Sequence, residues 1–140
     1  MKNTLLFANA LLEHDVPMEM HVYRKGGHGL SIGNHDVYLN IAGGMKLSEP
    51  AIDLGIIATV ASAYKNIPIP QTTVVMGEVG LTGEVRRINL IEKRLKEAEK
   101  LGFKTCIIPE NNKKGLKDDY KLDIIGVKNI GEALRRLNIK

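Results

Sequence analysis

Cysteine, tryptophan and long apolar runs are what this chain has least of. Its 140 residues include one cysteine, Cys106, and no tryptophan. A single thiol excludes an intramolecular disulfide and points to a reducing compartment. Aromatic residues make up 4% of the chain, too few for a platform on which single-stranded nucleic acid would stack. No stretch reaches the ~18 uninterrupted apolar residues of a membrane-spanning helix. The first residues lack the basic-then-apolar order of a signal peptide. A cytoplasmic protein without membrane contact is therefore expected. No G-x-x-x-x-G-K-[ST] loop is present to cradle phosphates, so ATP hydrolysis is not expected. Nor is there a four-cysteine zinc motif, and neither a metal nor a cofactor is expected. Internal repeats and low-complexity tracts are missing as well.

What is present suits a globular core. The chain is 44% hydrophobic and 26% charged, enough for one domain with an extension. Its net charge of +4 permits an anionic partner without requiring one.

The stretch from Met76 to Leu101 organises the rest. Val74 to Glu78 is an apolar run, Gly80-Leu81-Thr82-Gly83 a turn, and Glu84 to Ile88 a returning strand. Asn89 stands where an N-cap belongs, and Glu92 completes a capping box. Ile91, Leu95 and Ala98 form one apolar stripe, and Gly102 follows as a helix stop.

Before this stretch, residues 3–14 (NTLLFANALLEH) read as an amphipathic helix ended by Val16-Pro17. Met18 to Tyr23 alternates as a half-buried strand, and Arg24 to Gly29 is a glycine-rich loop. His14, His21, His28 and His35 fall seven apart. Pro17 and Gly26-Gly27 interrupt the segment, so this spacing puts no metal cluster on one helix face. Val37, Leu39 and Ile41 alternate into a second strand, broken by Gly43-Gly44. Ser48 as a cap and Pro50 in the first turn mark a helix start. Ala51 to Tyr64 is apolar nearly all round, the pattern of a helix buried on most sides, and Pro68 and Pro70 close it. After the organising stretch, Lys104–Ile108 is a short strand and Glu110–Lys121 a polar loop. Leu122–Val127 is a further strand. Asn129 caps the last helix, with Glu132 in a second capping box.

The segment MGEVGLTGEVRRINLIEKRLKEAEKL resembles the Lon peptidase domain. With NHDVYLNIAGGMKLSEPAIDLGIIATVASAYKNIPIP before it, residues 34–140 resemble the C-terminal Lon-like domain of the RadA (Sms) family of bacterial recombination and repair ATPases. The opening segment, FANALLEHDVPMEMHVYRKGGHGLSIG, resembles instead the end of an α/β-hydrolase esterase. These resemblances imply an α/β (α+β) fold of Lon proteolytic-domain type with an N-terminal helix–strand extension. They divide the chain into 1–33, esterase-like, and 34–140, Lon-like, and make it a chimera.

The resemblances also set a test for chemistry. A Lon peptidase uses a serine nucleophile and a desolvated lysine base. By alignment those positions fall here on Ala51 and Glu92. Ser48 is three residues early, and Lys93 is one helix position off, rotated by ~100°. The esterase resemblance makes His28 a triad histidine, but the nucleophile elbow G-x-S-x-G is absent. The expectation is a protein that is not an enzyme and takes no small-molecule substrate. The family resemblance implies instead a homo-oligomeric scaffold that contacts DNA in repair and recombination. Arg86, Arg87, Lys93, Arg94, Lys113 and Lys114 are the candidate phosphate contacts. Arg86 and Arg87, adjacent in a strand, are expected on opposite faces. Peptidase and esterase-remnant activity are the alternatives, tested through Ser48, Lys93 and His28.

Overall fold

The computed structural model describes residues 3–5, 20–25, 36–41, 49–117 and 119–140. Three antiparallel strands come first: β1 (Asn3–Leu5), β2 (Met20–Lys25) and β3 (Asp36–Ile41). A 3-10 turn, Pro50–Ile52, leads into helix α1 (Asp53–Lys65). Then follow β4 (Thr73–Val75), β5 (Glu78–Val79), β6 (Val85–Arg86) and α2 (Ile91–Lys100). The chain ends with β7 (Thr105–Pro109), α3 (Glu110–Lys113), β8 (Asp123–Val127) and α4 (Ile130–Arg136). This is the α/β class expected from the sequence.

The centre is a parallel sheet in the order β4-β7-β8. Parallel strands covered on both faces read as continuous apolar runs rather than alternations. Thr-Val-Val in β4 and Thr-Cys-Ile-Ile-Pro in β7 do so, and Val74, Val75 and Cys106 to Pro109 are all buried. Successive side chains point to opposite faces, so the strands feed two separate cores. Val75 and Ile107 pack with Leu54 and Ala58 of α1 and Ala133 of α4. Val74, Cys106 and Ile108 pack with Leu95 and Ala98 of α2. Helices thus cover each face of the sheet, and α1 also runs beside β2 of the antiparallel sheet.

Local chemistry explains several boundaries. Asn66, in the left-handed region at φ 57°, ends α1 ahead of Pro68. Gly102 ends α2 at φ 87°, its N–H donating to the Glu99 carbonyl while Phe103 N–H donates to that of Ala98. Those two bonds are a Schellman motif, the stop expected at that glycine. Asn129 accepts from Glu132 N–H (2.9 Å) as the cap of α4. The Glu132 carboxylate returns one residue earlier than a capping box requires, accepting from Lys128 N–H (2.8 Å).

Other expectations are corrected. Residues 3–5 are not the start of a helix but strand β1, in register with Met20, His21 and Val22. Pairing with a strand far along the chain outweighs a local helical pattern. Arg24 and Lys25 belong to β2 rather than to a loop, because β3 pairs with them as far as Asp36. The 3-10 turn has Glu49 as its N-cap residue, with no side-chain cap bond. The polar stretch after Ile108 opens with α3 before it loops. Asn89 does not cap α2: Leu90 takes a left-handed conformation and the helix begins at Ile91, so no capping box forms with Glu92. Residues 6–14, His14, His28, His35, Gly43-Gly44, Ser48 and the boundary at 33/34 lie outside the described residues.

Candidate functional site

Two places carry the sequence-derived candidates. The first surrounds Ala51, in the 3-10 turn that starts α1. Ala51 is 1% exposed and packs in the α2-side core with Val74, Met76 and Leu95. Its carbonyl accepts from Gly77 N–H (2.9 Å), while Leu54 N–H donates to the Gly77 carbonyl (3.0 Å). Asp53 fixes β5 by accepting from Val79 N–H (3.1 Å). Ala51 therefore holds its methyl group inside an apolar core. Glu92 and Lys93 lie exposed on α2, beside Leu90, Ile91 and Lys96 at one open depression.

Arg94 goes the other way. It is 3% exposed, with Nη2 2.8 Å from Glu49 Oε1 and Nε donating to the Asn89 carbonyl at 2.9 Å. A buried guanidinium requires such partners, because its desolvation is otherwise uncompensated. Arg94 thus links the start of α1 to the start of α2 and is withdrawn from any surface that could meet phosphate.

The second place is an open groove of about 560 Å³ lined by Arg86, Arg87, Lys114 and Lys128, with Glu84, Val85, Glu110 and Asn111. Glu110 and Asn111 follow β7 directly, and Lys128 follows β8. In open α/β sheets the crevice beyond the carboxyl ends of parallel strands is where ligands bind. The groove occupies that position.

Its cations are not equivalent. Arg86 Nη2 lies 2.6 Å from Glu84 Oε1, and Nη1 lies 3.7 Å from Glu78 Oε1. The hydrogen bond and charge of Glu84 hold the Arg86 proton more tightly than usual. Glu84 accepts from the Thr82 hydroxyl and from Thr82 N–H (3.1 Å). The Thr82 hydroxyl, the glutamate's own backbone and Arg86 push its carboxyl down to about 2. Arg87, Lys114 and Lys128 enter no ion pair among the described residues. They are the cations left for an anionic ligand.

The structure thus brings Arg86, Arg87 and Lys114 to one groove. Strand β6 stops at Arg86, so the alternation expected to separate Arg86 from Arg87 does not apply to this pair. Lys113 is exposed on α3 outside the groove lining, Lys93 lies at the other depression, and Arg94 is buried. Lys128 is the groove residue that sequence reasoning missed. Its position just after a strand and before the Asn129 cap was the available signal. Among the described residues, no group of three or more His, Cys, Asp or Glu could hold a metal ion, and no helix is long and apolar enough to cross a membrane.

Comparison with known proteins places this geometry among relatives. The chain is 52% identical over 107 residues to DNA repair protein RadA of Bacillus subtilis, covering 76% of this chain and 23% of that protein. It is 49% identical over 108 residues to DNA repair protein RadA of Listeria monocytogenes, covering 77% and 24%. The protein of the same name in Streptococcus pneumoniae is 46% identical over 109 residues, covering 78% and 26%. Most of the chain is a RadA-related segment, and it spans about a quarter of the length of these curated relatives. A family model described as subunit ChlI of Mg-chelatase matches residues 18–112, a span that includes Ala51, Arg86, Arg87 and Glu92. That match covers more than half of the chain, which therefore belongs to the family described as subunit ChlI of Mg-chelatase.

Proposed function

We propose that the chain is a non-catalytic, Lon-like scaffold domain that assembles with copies of itself and contacts DNA in repair and recombination. The observation that carries this reading is the groove at the carboxyl ends of β7 and β8, where Arg87, Lys114 and Lys128 have no ion-pair partner among the described residues. The names of its relatives, DNA repair proteins, agree with an anionic polymer as the ligand. Groove cations would bind phosphates without reading base sequence. No aromatic side chain lines the groove, so base stacking contributes nothing there.

The absence of catalysis belongs to the same reading. Ala51 supplies a methyl where a nucleophilic hydroxyl would be needed, and Glu92 on the exposed side of α2 is no desolvated amine. The fold needs no cofactor for this role, and its setting is the cytoplasm. The esterase-like character of the opening segment makes the chain a chimera, with His28 left outside any triad.

Fluorescence anisotropy with a labelled DNA duplex, at two salt concentrations, tests the reading. Binding should weaken at the higher salt and be lost in the triple variant Arg87→Gln, Lys114→Gln, Lys128→Gln. Equal binding by the triple variant would remove the groove from the interaction. Cleavage of casein that disappears in Ser48→Ala or Lys93→Ala would show a peptidase instead.

A further inference from the structure

Cations that act on one ligand must be held at one spacing, and the groove draws its own from three separate segments. Arg87 follows β6, Lys114 follows α3, and Lys128 follows β8. Backbone groups join the first of these segments to the third. Val85 N–H donates to the Lys128 carbonyl (2.8 Å), and Glu84 and Asn129 form an antiparallel bridge. The segment that carries Lys114 is joined through a side chain. Asn112 is 3% exposed, and its amide accepts from Ile88 N–H (2.9 Å) and donates to the Ile88 carbonyl (3.1 Å). Ile88 directly follows Arg87, and Asn112 stands two residues before Lys114.

One amide that exchanges both of its bonds with a single residue does what a neighbouring strand would do. Two features give this pairing weight. Helix α3 has four residues, a single turn, which is too short to hold its own direction without anchors. The backbone beyond Ile88 is also strained, because Leu90 sits at φ 60°, ψ 33°, a left-handed conformation disfavoured for a bulky side chain. Such strain persists only where the surroundings over-determine it. Asn112 does so at Ile88, and buried Arg94 does so at Asn89, where Nε donates to the carbonyl (2.9 Å).

We propose that Asn112 is the positioning residue of the groove, holding Lys114 at a fixed distance from Arg87 so that both meet one phosphate backbone. It touches no ligand itself and acts through the two cations. The inference rests on the DNA contact of the proposed function and names the side chain on which the geometry of that contact depends. A buried asparagine that served the fold alone would affect stability and leave each cation's contribution as it was. A positioning asparagine makes the contribution of Lys114 depend on it, while Lys128, joined through the backbone, keeps its own.

The test is the affinity of the full chain for a labelled DNA duplex across a salt series, in Asn112→Ala with and without Lys114→Gln. Asn112→Ala changes no charge, so any change in the slope of log affinity against log salt reports geometry. The slope should flatten by roughly 0.9, one phosphate contact. Lys114→Gln should then add almost nothing, although in the otherwise wild-type chain it flattens the slope by a similar amount. Lys128→Gln should keep its full effect in both backgrounds. Gly77→Ala, a packing change away from the groove, should leave the slope and the Lys114 effect as they are in wild type. A Lys114→Gln effect as large with Asn112→Ala as without it, or a slope that Gly77→Ala flattens equally, overturns the inference alone. A wild-type chain that binds no duplex overturns the DNA reading with it. A measurement on the wild-type chain covers an Asn112→Ala that does not fold. By NMR, Ile88 N–H and the Asn112 side-chain amide should exchange slowly with solvent, with and without DNA. Fast exchange at either group in the free chain would show that the spacing is not fixed in advance and would overturn the inference.

Discussion

At Gly77 the backbone passes so close to its neighbours that a Cβ would lie 2.9 Å from Val85 Cγ1 and 3.2 Å from Leu54 Cδ2. Both neighbours are buried and cannot retreat, so Gly77→Ala should lower stability by about 1–3 kcal/mol. At Gly126 the atoms nearest a Cβ belong to the flexible side chains of Glu110 and Lys113, which can move aside, and Gly126→Ala should change stability by less than about 1 kcal/mol. Urea unfolding of the two variants checks the contrast, and equal losses would refute this account of the packing. Cys106 shows the same dependence on surroundings. Burial pushes its thiol up to about 12, so at neutral pH it packs as a small neutral group. The sequence announced one cysteine without a disulfide partner in the chain, and the core explains where it goes. Arg94 was not legible in this way. On a helix rich in charge it reads as solvated, and Glu49, 45 positions earlier, supplies the opposite charge that makes its burial tolerable.

Among the elements, the helix caps divide into one that was legible and one that was not. The Asn129 side chain accepts a backbone N–H, so Asn129→Ala should cost about 1 kcal/mol. The start of α2 has no side-chain cap bond, so Asn89→Ala should be nearly neutral. Chemical denaturation separates the two, and a loss at Asn89 equal to that at Asn129 would contradict the cap assignment. Both sites carry an asparagine three residues before a glutamate. They differ because Arg94 and Asn112 impose the conformation of the 88–90 turn from outside it. The Glu84 turn gives a pH signature. Its folded carboxyl is depressed to about 2, so the stabilisation is complete above the ordinary glutamate range. It fades as pH falls from that range towards about 2. A carboxyl titration of Glu84 by NMR should show this low midpoint, and an ordinary one would mean that the Thr82 and Arg86 contacts do not hold in solution.

For the whole molecule, the parallel sheet decides which cations act together. Arg86 ends the strand before α2 and Arg87 follows it, Lys114 comes from beyond α3, and Lys128 directly follows β8, yet all line one groove. Each phosphate contact contributes roughly 0.9 to the slope of log affinity against log salt. Neutralising Arg87, Lys114 and Lys128 singly should each flatten that slope by up to about this amount. Neutralising Lys93, at the other depression, should leave it unchanged. A slope that responds to Lys93 but not to Lys128 would move the DNA contact to the other face.

The sequence by itself determined the α/β class, the apolar strands of the core, the Gly80–Gly83 turn, the Gly102 stop and the Asn129 cap. Each depends on residues a few positions apart, through backbone freedom, alternation or a local hydrogen bond. It also fixed alanine at position 51, whatever the fold. Only the tertiary structure decided that residues 3–5 form a strand, that Arg94 is buried and that Leu90 is strained. It alone joined Lys128 to the arginines. Those outcomes depend on partners tens of residues away, and the energies of such pairings leave no periodic mark on the chain that makes them.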